Sequence, residues 1–232
     1  MAKLIDLSQE IFQGMPVYPG HVKTVIWDHH SHEETGKMLK GEFSYATRGL
    51  MLSDHGPTHV DAVSHMDPDP NAEAINELPL EKFYTSGIAL DLSHIPSSGF
   101  ISVNDLKEAL EKANLEIKPG DTVLLYTGHY TRNYGTENWL GNYAGLDYEA
   151  TAWIAEQGAV NVGVDAPSID NPIDKTYPSH NACVKYKLLN VENLADLRPV
   201  VGKRFQYIGL PLKIRKGTGS PVRAIAVLED DK

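Results

Sequence analysis

Cysteine is nearly absent: Cys183 is the only one in 232 residues. A lone thiol excludes an intrachain disulfide framework and makes a reducing compartment, the cytoplasm, the expectation. Long apolar runs are missing too. Nothing approaches the roughly 20 residues that span a bilayer, and the opening MAKLIDLSQEIFQG lacks the apolar stretch of a secretory signal. Cations are in deficit, with 21 Lys and Arg against 31 Asp and Glu and a formal net charge of −10. That balance argues against nucleic acid or an anionic membrane as partner. The balance says little about a small-molecule substrate, because local charge at a site can oppose the net charge. The length and 41% hydrophobic content suit one domain over 1–232, with a core that needs no disulfides.

What is present first is a series of short strand patterns. KLIDL opens the chain, TVIWDHH alternates, and SYATRGLMLSDH follows. Further runs lie at 86–93, 121–128, 159–165, 206–212 and 222–229, mostly bounded by Gly, Pro or Asp. Two segments read as helices. SVNDLKEALEKANL carries a capping box at Ser102 and Asp105 and an apolar stripe through Leu106, Ala109, Leu110 and Ala113. DYEATAWIAEQG places Ala150, Trp153 and Ile154 on one face and stops at Gly158. The pattern predicts an α/β fold, a single mixed-sheet domain with more strands than helices. Residues 31–42 read as an exposed charged loop, 129–146 as a long aromatic loop, and GTGSP at 217–221 as a turn.

The chemistry concentrates in SDHGPTHVDAVSHMDP, residues 53–68, where His55, His59, Asp61 and His65 fall within eleven positions. A helix cannot gather them, because Asp61 would lie about 200° around from His59. A strand places all four odd-numbered residues on one face, but separates 55 from 59 by about 13 Å. The chain must therefore bend between the two histidines, where Gly56 and Pro57 stand. Two imidazoles and a carboxylate are ligands for Zn²⁺, Mn²⁺ or Fe²⁺, and three protein ligands leave a position open for water. His65 lies just beyond and can carry protons. The plainer alternative is a polar, solvated loop. Cys183, three residues after His180, reads as a buried thiol and not as a nucleophile.

HGPTHVDAVSH resembles the H-x-G-T-H-x-D-x-P-x-H motif of the metal-dependent cyclase family, which includes bacterial kynurenine formamidases and isatin hydrolases. MPVYPG near the start, VGVDAPSID with SHNACV, VENLADL and the closing IGLPLKIRKGTGSPVRAIAV extend the similarity over nearly the whole chain. Pro57 replaces the family's Gly, with a glycine displaced to Gly56, and Val63 replaces its Pro.

The resemblance implies a swivelling β/β/α-like fold. It implies one or two divalent ions, Zn²⁺ first and Mn²⁺ second, held by His55, His59 and Asp61 together with His180 and Glu192. His65 matches the proton carrier. Read alone, Glu192 in NVENLADL is a carboxylate at a helix start. The implied activity is hydrolysis of a small amide, an aryl formamide such as N-formylkynurenine or a cyclic amide. Trp27, Tyr130, Trp139 and Tyr143 are candidates for an aromatic substrate pocket. Asp165, Ser168 and Asp170 are candidates to support the ligands. A homodimer or homotetramer is expected. The alternatives are a lyase, cyclising or dehydrating a small carbonyl substrate on the same ligands, and a metal- or small-molecule-binding protein without catalysis.

Overall fold

The structure, a computed structural model, describes residues 2–229. Its elements are β1 (Lys3–Asp6), β2 (Val25–His30), α1 (His32–Met38), β3 (Thr47–Met51), β4 (His59–Asp61), β5 (Tyr84–Asp91), β6 (Phe100–Ile101), α2 (Val103–Ala113), β7 (Thr122–Tyr126), α3 (His129–Asn133), β8 (Gly145–Leu146), α4 (Tyr148–Glu156), β9 (Asn161–Val164), α5 (Pro178–Tyr186), β10 (Leu189–Glu192), β11 (Arg204–Ile208), β12 (Gly219–Pro221) and β13 (Ile225–Leu228). Strands outnumber helices, as the alternating patterns predict.

Nine strands form one sheet in the order β1-β13-β11-β5-β7-β9-β10-β4-β12. The centre, β5, β7, β9 and β10, is parallel. Parallel neighbours need crossovers, and α2, α4 and α5 lie on these connections. Alternation divides the core into two layers. Ile88, Leu90, Val123, Leu125, Val162 and Val164 face the helices with Leu106, Leu110 and Ile154. Ala89, Leu124, Leu189 and Val191 face the opposite way, with Val60, Phe205 and Tyr207. The sheet curls around this second layer. Just beyond β1, the Leu7 N–H donates to Ala224 O at 2.9 Å and Leu7 O accepts from Ala195 N–H at 2.8 Å, tying the two ends together.

Both predicted helices are present with their predicted ends. Ser102 and Asp105 make the reciprocal cap of α2, and Asn114 closes it in the left-handed conformation. Gly158, at φ +91°, follows α4. Three expectations are corrected. Residues 31–42 hold α1, capped reciprocally by Ser31 and Glu34. Residues 129–146 are a loop only between α3 and β8, and its Trp139 and Tyr143 are core side chains. Residues 217–221 include β12, an edge strand paired with β4. The ribbon β2–β3 stands apart from the large sheet, with the Trp27 indole lying across Gly49. Among the described residues no helix is long and apolar enough to cross a membrane.

Candidate active site

The site grows from two short neighbouring strands. Antiparallel register sets Glu192 opposite His59 and Asn190 opposite Asp61. Residues directly opposite share a face. Because Val60, Leu189 and Val191 point into the core, the polar four must project from the other face. Glu192 thus reaches the cluster from a strand, which corrects its reading as a helix-start carboxylate. His55 arrives from the loop before β4, where the cis Gly56–Pro57 bond makes the expected bend. His180 comes from the first turn of α5. His65 does not continue the strand, as parity suggested. β4 ends at Asp61, and a short 3₁₀ turn, Val63–His65, folds His65 back so that its ring centroid lies 3.8 Å from that of His55.

The donor atoms converge. His55 Nδ1 is 2.7 Å from Asp61 Oδ1, His59 Nε2 is 3.2 Å from the same oxygen, and His180 Nε2 is 3.3 Å from Asp61 Oδ2. Glu192 lies 3.7 Å from His59 Nε2 and 3.6 Å from His180 Nε2. His59 Nδ1–H donates to Pro57 O at 2.8 Å, and His180 Nδ1–H donates to Asp170. Neutral imidazoles so anchored turn their Nε2 lone pairs toward the carboxylates. Lone pairs facing carboxylates repel unless a cation lies between them. No Lys or Arg among the described residues pairs with Asp61 or Glu192. The donor set therefore fits a divalent metal ion. Two overlapping groups, His55–Asp61–His65 and His59–Asp61–Glu192, share Asp61.

The same crowding of carboxylates raises the proton affinity of the imidazoles, so that in metal-free protein a proton on His180 takes the cation's place. Burial opposes protonation of His180, but hydrogen bonds to Asp170 and Asp61 outweigh it and hold the imidazole well above its ordinary value. His59 is raised in the same way, with Asp61 overcoming burial. Burial would raise Asp61, yet the three imidazoles drive it well below the usual carboxylate range. Burial and the Asp61 charge raise Glu192. His65 moves the other way: burial, with neighbouring imidazoles adding to it, pushes it down to about 4, so it is neutral at physiological pH.

Supporting contacts surround these groups. Asp170 accepts from the Ser179 N–H at 2.6 Å and the His180 N–H at 3.3 Å, so one carboxylate starts α5 and aims its histidine. Asn190 Nδ2 donates to Asp61 Oδ2 at 3.0 Å and Glu192 Oε1 at 2.8 Å. Ser168 borders the cavity, whereas Asp165 bonds Thr127 instead, through the backbone N–H at 2.8 Å and the hydroxyl at 2.6 Å. Cys183 is buried and its thiol is pushed up by that burial, as its reading without a nucleophilic role requires.

A cavity of about 420 Å³, mouth included, opens on the cluster. Tyr18, His21, Met66, Pro167, Ser168 and Tyr177 wall it beside His55, His59, His65, His180 and Glu192. None of the aromatic candidates does. Trp139 is 1% exposed and packs against His129 and Tyr134, each 5.1 Å away between ring centroids. Tyr130 stacks on Tyr134 at 4.8 Å. Trp27 is 49% exposed on the β2–β3 ribbon. Aromatic side chains there bury area within their own segment, which is their commoner use. Tyr18 and His21 lie in the stretch from MPVYPG to His21, and only the resemblance drew attention to it. Tyr177, left-handed at φ 52° ahead of Pro178, carried no signal.

The family described as putative cyclase matches residues 5–171. The chain belongs to the cyclase family. This cyclase-family chain is 30% identical over 228 residues to the kynurenine formamidase of Bacillus anthracis, covering 97% of both proteins. It is 30% identical over 229 residues to that of Salinibacter ruber, covering 96% of each. Among solved structures, an isatin hydrolase bound to the product analogue thioisatinate superposes with a TM-score of 0.86 at 20% identity, over 99% of this chain and 93% of that one. A potential metal-dependent hydrolase with cyclase activity gives 0.76 at 22% identity, over all of both chains. At those identities the solved structures carry the fold.

Proposed function

We propose that this cyclase-family protein is a metal-dependent hydrolase of small aryl amides, an aryl formamide or a cyclic aryl amide. The observation that carries the reading is the convergence of three imidazoles and two carboxylates on one spot beside an open cavity. The kynurenine formamidase relatives and the fold shared with isatin hydrolase support the substrate class. His55, His59, Asp61, His180 and Glu192 are the residues that would hold the cation. Imidazole and carboxylate donors suit Zn²⁺ first and Mn²⁺ second, and Asp61, within reach of His55, His59 and His180, leaves room for one ion or two. When bound, a divalent ion polarises an amide carbonyl and lowers the pKa of water from 15.7 to about 7.

The protein's own groups do the rest. Neutral His65 takes the proton of the attacking water and, as a strongly acidic imidazolium, gives it to the departing nitrogen. Tyr18, pushed up to about 12 by burial and the Tyr177 hydroxyl, stays protonated and can donate to a substrate oxygen. Met66 and Pro167 offer apolar walls to an aromatic ring. We place the protein in the cytoplasm on its single thiol. We expect a homodimer or homotetramer, because the protruding ribbon exposes Trp27, Leu50 and Met51.

The test is chelation followed by reconstitution. Protein stripped of metal should lose hydrolysis of an aryl formamide and of isatin, and Zn²⁺ or Mn²⁺ should restore at least one of them. Full turnover by protein shown to be metal-free would reject the proposal.

A further inference from the structure

The geometry points to Thr218, fixed by Asp54, as the positioning residue that selects the Nε2–H tautomer of His55 and so makes His55 a ligand through Nδ1, whereas His59 and His180 offer Nε2. This rests on the metal-site reading above and goes beyond it, since neither Thr218 nor Asp54 is among the residues that would hold the ion; Thr218 reaches only the far nitrogen of His55.

The order of donors settles the tautomer. Asp54 Oδ2 receives the Thr218 N–H at 3.2 Å and lies 2.8 Å from the Thr218 hydroxyl. An ionised carboxylate only accepts, so the single hydroxyl proton goes to Asp54. Thr218 Oγ1, 2.8 Å from His55 Nε2, is then left as an acceptor, and His55 must carry its proton on Nε2. Its Nδ1 lone pair is thereby turned toward Asp61 Oδ1 at 2.7 Å. In the opposite arrangement, Nδ1–H would point at Asp61 and could not ligate. Two oxygens, on Asp54 and Thr218, would then face each other without a proton between them.

The ring cannot escape the choice by moving. His65 lies 3.8 Å from it between ring centroids. A Cβ at Gly219 would fall 2.7 Å from His55 Cε1, so the imidazole edge lies in a slot that only glycine leaves open. Thr218 itself is fixed from behind, its carbonyl accepting from the Ala62 N–H at 2.9 Å.

The test compares wild type, Thr218→Val and Thr218→Ser for Zn²⁺ affinity by chelator competition, with histidine ¹⁵N NMR of the Zn²⁺-loaded protein. Wild type should show His55 bound through Nδ1 and protonated on Nε2. Valine keeps the shape but removes the acceptor, and should weaken Zn²⁺ binding about 10–100-fold. Serine restores the hydroxyl and should stay within about threefold of wild type. If Thr218→Val does not fold, Asp54→Ala, at a position one-third exposed, removes the acceptor that holds the hydroxyl proton and should weaken binding in the same direction. Thr218→Val with wild-type affinity, Asp54→Ala with wild-type affinity where it is the variant used, or His55 bound through Nε2, overturns the positioning role while leaving the metal site standing. Wild-type protein that takes up no Zn²⁺ overturns the metal site and this inference with it.

Discussion

Substituting Gly219 by alanine adds one methyl group to β12 at the point where the strand passes His55. The φ of Gly219 lies outside the left-handed region, so the effect isolates space from backbone conformation. The new Cβ would sit 2.7 Å from His55 Cε1, 3.1 Å from His55 Nδ1 and 2.9 Å from Val60 O. Neither side yields easily. Gly219 is registered opposite Asp61, and Val60 is anchored in the second core layer. Restoring an ordinary carbon–carbon separation of about 3.6 Å means shifting the imidazole by roughly 1 Å, against the approximately 0.5 Å that a ligand constellation tolerates.

Overpacking of this kind costs about 1–3 kcal/mol. At roughly 2–4 °C per kcal/mol for a chain of this size, the Tm should fall by about 2–12 °C. Displaced His55 should also lower metal affinity at least tenfold or so. Calorimetry in chelator and metal titration measure the two effects separately. Gly141→Ala is the control: a Cβ there meets nothing within 4 Å, so its change should stay within about 0.5 kcal/mol. Gly219→Ala with wild-type Tm and wild-type metal affinity would refute the packed slot around His55.

His65→Ala should keep its metal and lose about 10²–10⁴-fold in kcat; elemental analysis beside steady-state kinetics checks both halves, and undiminished turnover removes the proton-carrier role. Asp170→Asn offers a donor where His180 needs an acceptor and should weaken metal binding about 10–100-fold, read by chelator competition. In metal-stripped protein, His59 and His180 titrate above their ordinary value. Their contribution to stability is full below the unfolded imidazole value of about 6.5 and is lost as pH rises through the raised values. Stripped protein should therefore show a falling Tm from pH 6.5 toward alkaline pH, and a rising Tm over that window contradicts the raised values. The cavity wall contains no Lys or Arg among the described residues, so adding a carboxylate to an aryl formamide should not raise kcat/KM; a gain beyond about tenfold would show a cation reaching the substrate.

What could be read in the sequence was whatever is written locally. The His55–His65 cluster is dense enough to stand out, the bend at Gly56–Pro57 follows from chain reach, and the ends of α2 and α4 are spelled by Ser102, Asp105 and Gly158. His180 and Glu192 came forward only through family resemblance, because strand pairing brings in Glu192 and the placing of α5 brings in His180, both from far along the chain. Glu192 meets His59 by register, and nothing in NVENLADL distinguishes a four-residue buried strand from the start of a helix. Thr218 and Gly219 sit in GTGSP, which has the composition of a turn, and their importance lies in what approaches them from β4. The aromatic candidates lie away from the cavity for the converse reason: residue type suggests a pocket, while Trp139 and Tyr143 are buried in the core.

The same register shows how the site is specified at all. A slip of one residue between β10 and β4 exchanges the two faces of the strand. Leu189 and Val191 would then leave the core for the polar face, and Asn190 and Glu192 would be buried among Val60 and Phe205. Each displaced aliphatic side chain forfeits about 1.5–3 kcal/mol of burial, and a buried carboxylate without a partner adds several more. The apolar residues that never touch the donors are thus what hold Glu192 opposite His59.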